Sequence, residues 1–235
     1  MRRSSTNCYL STSAATHDEK APLDPETVKI FLASSNTGKL REYRELAAGS
    51  VLTVALLPNF SAVPPFDEGA PTFAENAAGK ALYYSRFAHE IVFADDSGLV
   101  VPALSGAPGV HSARYAGPNG TAGDCVQKLL GQMAGKEGSD RRARFVCVIA
   151  VARQGSVLAV VSDFVEGMLA KEPRGAGGFG YDPVFCLPDL GCTFAEISPE
   201  EKNRYSHRGK AFCKVAEYLN SSASLLGSAT SNSTV

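Results

Sequence analysis

No apolar run in this chain reaches the ~18 to 20 residues that a membrane-spanning helix needs. The longest, Phe145 to Ala152, has eight, so no membrane segment is expected. Neither sign of charge is in surplus: 23 Lys and Arg against 24 Asp and Glu leave a net charge of -1. The basic residues are scattered rather than gathered into a stripe, which excludes a dedicated nucleic-acid surface. Among the six cysteines (Cys8, Cys125, Cys147, Cys186, Cys192, Cys213) there is no C-x-x-C pair, hence neither a disulfide framework nor a zinc knuckle. They are expected as free thiols, which points to a reducing, cytoplasmic address. The first seventeen residues hold Arg2, Arg3 and seven Ser or Thr but no acid, and no apolar stretch follows Arg3, so a secretory signal is excluded. That composition is shared by organelle transit peptides and disordered tails, and a disordered tail is the expectation for 1–27. Nothing after Glu217 is charged, and 221–235 is expected to be a second tail.

What is present suits a substantial core. The chain is 235 residues long and 44% hydrophobic. The run from Val28 to Ala33 reads as a buried strand that enters a polar turn at Ser34-Ser35-Asn36. Gly38 to Ala48 has helical spacing ended by Gly49, Val51 to Leu57 is a second strand, and prolines at 58, 64, 65 and 71 mark a long loop. Thr72 and Glu75 form a capping box that opens a helix to about His89. A strand over Ile91 to Ala94 follows, then the apolar run Leu99 to Leu104 and a Gly/Pro-rich loop over 105–120. Thr121 caps a helix to about Met133. The β-type runs Ala143 to Arg153 and Ser156 to Leu169, joined by Gln154-Gly155, read as a hairpin. A last helix covers about Gly209 to Asn220. Early alternation with a late hairpin implies an α/β fold with a mixed β-sheet.

Asp95 and Asp96 follow an apolar run and precede Ser97-Gly98. A strand that ends in acids delivers them to the sheet edge where α/β proteins hold ligands, which suits metal-assisted chemistry; a solvated Asp-Ser-Gly turn is the plainer alternative. Ser34 to Lys39 joins a strand to a helix whose N-terminus offers unpaired N–H groups to an anion, with Lys39 adding a full charge. An ordinary N-cap beside a surface lysine has the same signature. It is not a Walker A loop, which needs glycine where Ala33 stands. Gly175-Ala176-Gly177-Gly178-Phe179-Gly180 spells G-x-G-x-x-G, but polar residues precede it and Pro183 prevents the helix that a dinucleotide fold requires. The loop still permits close approach to a ligand, and Phe179 and Tyr181 offer rings for a planar base, unless it is simply a surface loop. Between Glu200 and Lys210, four cationic groups (Lys202, Arg204, Arg208 and Lys210) and His207 lie at the start of the last helix, either as phosphate-binding cations or as a solvated face. Asp96-Ser97-Gly98 also matches the aspartic-protease triplet, but such enzymes need two copies, and only a dimer would supply the second.

Six motifs in order resemble the inosine triphosphate pyrophosphatase family, which hydrolyses non-canonical purine nucleoside triphosphates. They are Ser-Ser-Asn-Thr-Gly-Lys at 34–39, Thr-Phe-Ala-Glu-Asn-Ala at 72–77 with Lys80, Ala-Asp-Asp-Ser-Gly-Leu at 94–99, Gly-Ala-Pro-Gly-Val-His-Ser-Ala-Arg-Tyr at 106–115, Gly-Gly-Phe-Gly-Tyr-Asp-Pro at 177–183 and Ser-His-Arg-Gly at 206–209. The likeness covers about Val28 to Tyr218, within a domain expected at 28–220. It implies two α/β lobes around a deep central cleft, usually as a homodimer, and Mg²⁺-dependent hydrolysis of ITP, dITP or XTP to the monophosphate and pyrophosphate. Matched by position, Glu68 and Asp96 would hold the metal, and Asp96 would be the general base, with Asp95 beside it at the substrate site as a further metal ligand or as the support of one. Ser34, Ser35, Asn36, Thr37, Gly38, Lys39 and Lys80 would hold the phosphates, and Ser97 would touch the nucleotide. Phe179, Gly180, Tyr181 and Asp182, with Lys202, His207 and Arg208, would frame and read the purine. A catalytically silent nucleotide sensor is the alternative from another class, and intact acids at 68, 95 and 96 argue against it.

Overall fold

The computed structural model describes residues 27–226; of the tails expected at 1–27 and 221–235, the stretches 1–26 and 227–235 lie outside the described residues, whereas 221–226 continues the last helix. Seven strands form one open mixed sheet in the order β2-β1-β3-β4-β5-β6-β7. β1 (Val28–Leu32) pairs in parallel with β2 (Leu52–Leu56) and β3 (Ile91–Val100). From β3 onward the pairing is antiparallel: β4 (Arg142–Arg153), β5 (Ser156–Leu169), β6 (Phe185–Leu187) and β7 (Cys192–Thr193). Gln154 and Gly155 both have positive φ, the backbone that a tight hairpin twisting with its strands requires.

The helices follow their caps. α1 (Thr37–Ala47) starts where the Asn36 side chain accepts from Lys39 N, and α2 (Phe73–Tyr84) where Thr72 accepts from Glu75 N. α3 (Ala122–Gln132) has the full reciprocal box between Thr121 and Asp124. α4 (Pro199–Tyr205) and α5 (His207–Leu226) close the described chain.

Alternate residues of the central strands face opposite cores. Ile30, Leu32, Phe93 and Ile149 meet α1 and α5 through Tyr43 and Phe212 on one face. Phe31, Val92, Ala94 and Ala150 meet Ala77, Ala81 and Tyr84 of α2 on the other. A third core joins Leu99, Phe145 and Val165, at the far ends of the long strands, to Leu129 and Met133 of the α3 region and to Phe185 and Phe194. The first two cores, on opposite faces of the sheet, make one lobe and the third makes the second; the two lobes share β3, β4 and β5, and full burial of each large side chain contributes on the order of 1.5–3 kcal/mol.

Four boundaries differ from expectation. β3 does not end at Ala94: it runs through both aspartates to Val100, because β4 pairs with it at every step, Asp95 opposite Ile149 and Asp96 opposite Val148. α2 stops at Tyr84 and gives way to a tight turn over Ser85–Phe87, where the Ser85 hydroxyl bonds back to Leu82 O. Pro102–Leu104 is a 3₁₀ turn, since proline cannot donate to a ladder. The last helix begins at His207 and extends to Leu226, six residues beyond its expected end.

Candidate active site

β1 ends at Leu32 while β3 continues, so Asp95, Asp96 and Ser97 lie just past the parallel pairing, beside the turn that leads into α1. Their pleat sends Asp95 and Ser97 to the α1/α5 face and Asp96 to the α2 face. The two acids thus have different partners.

On the α1/α5 face the charges are enclosed. Lys39 Nζ lies 2.9 Å from Asp95 Oδ1, and Arg208 Nη2 lies 3.6 Å from Oδ2. Arg208 Nη2 also donates to Ser97 Oγ at 3.0 Å, and Nη1 donates to Glu42. The other Glu42 oxygen accepts from Lys202 Nζ, which lies 2.6 Å from Asp182 Oδ2 as well. Burial alone would raise the Asp95 carboxyl, but Lys39, Arg208 and Lys80 outweigh it and hold the group at about 2. Glu42 is lowered in the same way by Arg208 and Lys202 against its burial. His207 begins α5 with its ring stacked on Phe145 at 4.7 Å. Burial, then the cations Arg208 and Lys202, push its basicity well below the imidazole range, so it is neutral, with Nδ1 unpartnered among the described residues.

The α2 face is different. Asp96 Oδ2 accepts one bond, from Asn76 Nδ2 at 3.1 Å, which leaves Oδ1 without a partner among the described residues. Burial raises its carboxyl, and Lys80, Lys39 and Asn76 offset that only in part. Lys80 Nζ bonds Glu68 Oε1 at 2.7 Å, and Glu68 is more than a third exposed. Two carboxylates, each with an oxygen to spare, are a donor set that fits a hard divalent cation completed by water or phosphate. Beside them, the N–H groups of Thr37 and Gly38 at the start of α1 have no acceptor among the described residues. Ser35, Asn36 and Thr37 are exposed and Ser34 is half-buried, so this end of α1 is open to an anion.

The glycine-rich loop closes the remaining side. Asp182 Oδ2 accepts from Phe179 N at 2.6 Å, and Gly178 is obligatory there because a Cβ would lie 2.1 Å from that oxygen. The Phe179 ring packs on Gly38, where a Cβ would stand 3.0 Å away, and it covers Lys202 and Arg208 at 4.8 and 5.4 Å. Gly180 follows with positive φ. Tyr181 departs from expectation: it is 4% exposed in the second-lobe core and donates to Ser112 O at 2.9 Å, so it braces the loop from behind and presents no ring for stacking.

The structure brings Lys39, Ser97, Arg208, Lys202, Asp182 and Phe179 into one network with Asp95, and sets Asn76, Lys80 and Glu68 beside Asp96, whereas Tyr181 is buried behind the loop. It adds Glu42 and Asn76, which sequence reasoning passed over. Glu42 stood in a helix as one more polar residue, although its place three residues after Lys39, on the stripe with Tyr43, was a signal. Asn76 was hidden inside a capping-box motif.

A parallel βα unit with an open helix N-terminus, acids on the next strand and convergent cations defines an α/β protein built to hold a polyanion. Comparison with known sequences makes this specific: the Ham1 family pattern covers residues 30–218, and the chain belongs to that family. A dITP/XTP pyrophosphatase of Geobacillus kaustophilus is 50% identical over 189 residues, covering 80% of this chain and 93% of the relative. One from Gloeobacter violaceus is 48% identical over 186 residues, 79% of this chain and 91% of the relative. Among solved structures, a HAM1 protein from Coxiella burnetii superposes with a TM-score of 0.74 at 42% identity, over 83% of this chain and 99% of the other. The protease reading of Asp96-Ser97-Gly98 gives way to this membership.

Proposed function

We propose that the chain hydrolyses non-canonical purine nucleoside triphosphates (dITP, ITP and XTP) to the monophosphate and pyrophosphate, so keeping them out of DNA and RNA. The relatives' names support the substrate class. The observation that carries the chemistry is the α2-face group: Asp96, with one oxygen free and its basicity raised, beside Glu68 and Lys80.

Asp96 and Glu68 would hold Mg²⁺, which supplies charge neutralisation at the attacked phosphorus. Asp96, kept in place by Asn76, accepts the proton of the attacking water. Lys39, Lys80 and the α1 N-terminus neutralise the outer phosphates as they leave as pyrophosphate. On the other side of the site, Phe179 offers the ring for stacking, and Lys202, His207 and Arg208 line the region that reads the base. A 6-oxo purine presents an acceptor to such cations and N–H groups where adenine presents a donor, so ATP is rejected. Homodimer formation and a cytoplasmic address belong to the same reading. The exposed apolar side chains of Leu158, Val160 and Phe164 on β5 support the dimer, and no helix among the described residues is long and apolar enough to cross a membrane.

A panel of nucleoside triphosphates assayed for pyrophosphate with and without Mg²⁺ tests the proposal. Release from dITP, ITP and XTP with Mg²⁺, and far less from ATP, is expected; orthophosphate as the first product, or full activity after exhaustive chelation, overturns it. In isotopically labelled water the label belongs in the monophosphate, since attack is at the α-phosphorus.

A further inference from the structure

The turn Gly109–Arg114, within the motif at 106–115, borders the segment that carries Glu68. Residues 64–71, which carry Glu68, make no backbone-to-backbone hydrogen bond among the described residues. Side chains from outside hold the segment instead. From α2, Tyr83 donates to Pro64 O, Tyr84 accepts from Phe66 N, and Asn76 both accepts from Ala70 N and donates to Ala70 O. Among the described residues the peptide of Glu68 itself has a single tie: Arg114 Nη2 donates to Glu68 O at 2.9 Å.

Arg114 is suited to that task because its own segment is fixed at several points. The 3₁₀ turn Gly109–Arg114 is pressed onto β3 so closely that a Cβ on Gly98 would stand 2.4 Å from Ser112 Oγ and 2.5 Å from Gly109 O. Ser112 Oγ accepts from Leu99 N at 2.9 Å, and Ser112 O accepts from Tyr181. One short turn thus bonds to the strand that bears the aspartates, to the glycine-rich loop, and, through Arg114, to the peptide of Glu68.

We propose that Arg114 is a positioning residue, which holds Glu68 at the divalent-cation site by anchoring its carbonyl to the 109–114 turn. The inference rests on the reading of Glu68 and Asp96 as the metal pair. A ligand on a backbone without ladder bonds pays ordering entropy when it binds, and an anchor formed beforehand reduces that cost.

Arg114→Met removes the bond from an exposed side chain without disturbing a core. Lys128→Met is the control: Lys128 also donates to a carbonyl of this region, Tyr115 O at 2.7 Å, but has no bond to Glu68. Mn²⁺ binding to the free proteins, followed by electron paramagnetic resonance, should weaken about 3- to 10-fold in Arg114→Met and stay unchanged in Lys128→Met, with most affinity recovered in Arg114→Lys. Half-saturating Mg²⁺ for ITP hydrolysis should rise by the same factor, while kcat and the KM for ITP at saturating Mg²⁺ stay within about twofold. Amide exchange at Phe66 and Ala70 should quicken in Arg114→Met alone. Unchanged Mn²⁺ affinity with unchanged exchange overturns the proposal, and so does a fall in kcat at saturating metal with affinity intact, which would put Arg114 on the phosphates. If wild-type protein fails to hydrolyse ITP, the functional reading is lost and the exchange rates alone decide whether Arg114 positions the segment.

Discussion

The two faces of β3 carry adjacent aspartates to opposite ends of an electrostatic range. Asp95 is enclosed among Lys39, Arg208 and Ser97 and is held at about 2, whereas Asp96 keeps an unbonded oxygen and is raised by its burial. One residue of sequence, and the pleat of one strand, separate an ion-paired carboxylate from one with a single hydrogen bond. On the proposed function the enclosed face positions and the open face reacts: fixed charges give precision, and a proton acceptor needs a lone pair left over.

The largest effect should come from breaking the enclosed face at its centre. Glu42 is the anion between Lys202 and Arg208, both of which are also nearly inaccessible. Glu42→Ala leaves two buried cations short of a counter-charge, and removing one partner from such a set costs about 3–5 kcal/mol. Chemical denaturation should show that loss, and a variant as stable as wild type would mean that water reaches these groups. Glu42→Gln should lose less, since it keeps one acceptor.

Next come the two aspartates, where the expected effects have opposite character. Asp96→Asn removes the proposed base and a proposed metal-ligand charge, so turnover should fall at least ~100-fold, while the thermal midpoint holds or rises because the charge it removes is one that burial disfavours. Asp95→Asn should lower the midpoint, because Lys39 and Arg208 lose their counter-charge. If both variants moved stability in the same direction, the division between the faces would collapse.

That division was only half legible beforehand. The α/β class, the hairpin at Gln154-Gly155 and the helices after Asn36, Thr72 and Thr121 all follow from local chemistry that sequence exposes: caps, periodicity and a turn that demands positive φ. The acid pair looked like a strand end because the signal for stopping, Asp-Ser-Gly, is local, while the signal for continuing is nine successive pairings with β4, more than fifty residues away at the acids. The enclosed network was illegible for the same reason. Glu42 meets Lys202 across 160 positions, and no spacing rule reaches so far. Arg114 could be read as part of a motif but not as the partner of a main-chain carbonyl, since backbone acceptors carry no residue identity.

Acid should separate the faces again, with smaller effect. His207 is buried neutral with its pKa depressed, so the unfolded chain binds the extra proton: its contribution is complete above the usual imidazole value of about 6.5 and is lost as pH falls below it. Asp95 behaves likewise further down; its contribution, about 2 kcal/mol, is present above the usual carboxylate value and is lost as pH falls through about 2. Both groups lie on the enclosed face. Stability measured from pH 7 to pH 4 should therefore decline by up to about 1.4 kcal/mol per pH unit from His207 alone, and His207→Gln should flatten the decline. An equal slope in that variant would assign the loss to other groups.

The smallest effect is kinetic, and it reads whether the enclosed face stays closed. Cys147 lies opposite Ser97 in the β3–β4 register, fully buried, with its sulfur 3.9 Å from the Tyr43 hydroxyl. Burial and then Asp95 push its thiol up to about 12, so at neutral pH it offers almost no thiolate and no path for a reagent. Cys186 and Cys192, which are partly exposed, should react first with a thiol reagent, and Cys147 should wait for the fold to open. Asp96→Asn leaves that face untouched and should leave the Cys147 rate unchanged. Asp95→Asn should quicken it several-fold, because what it lowers is the cost of opening the face. Rapid labelling of Cys147 in the wild-type protein would show that the network breathes without global unfolding, and the contrast between a fixed face and a reactive one would then be a matter of degree.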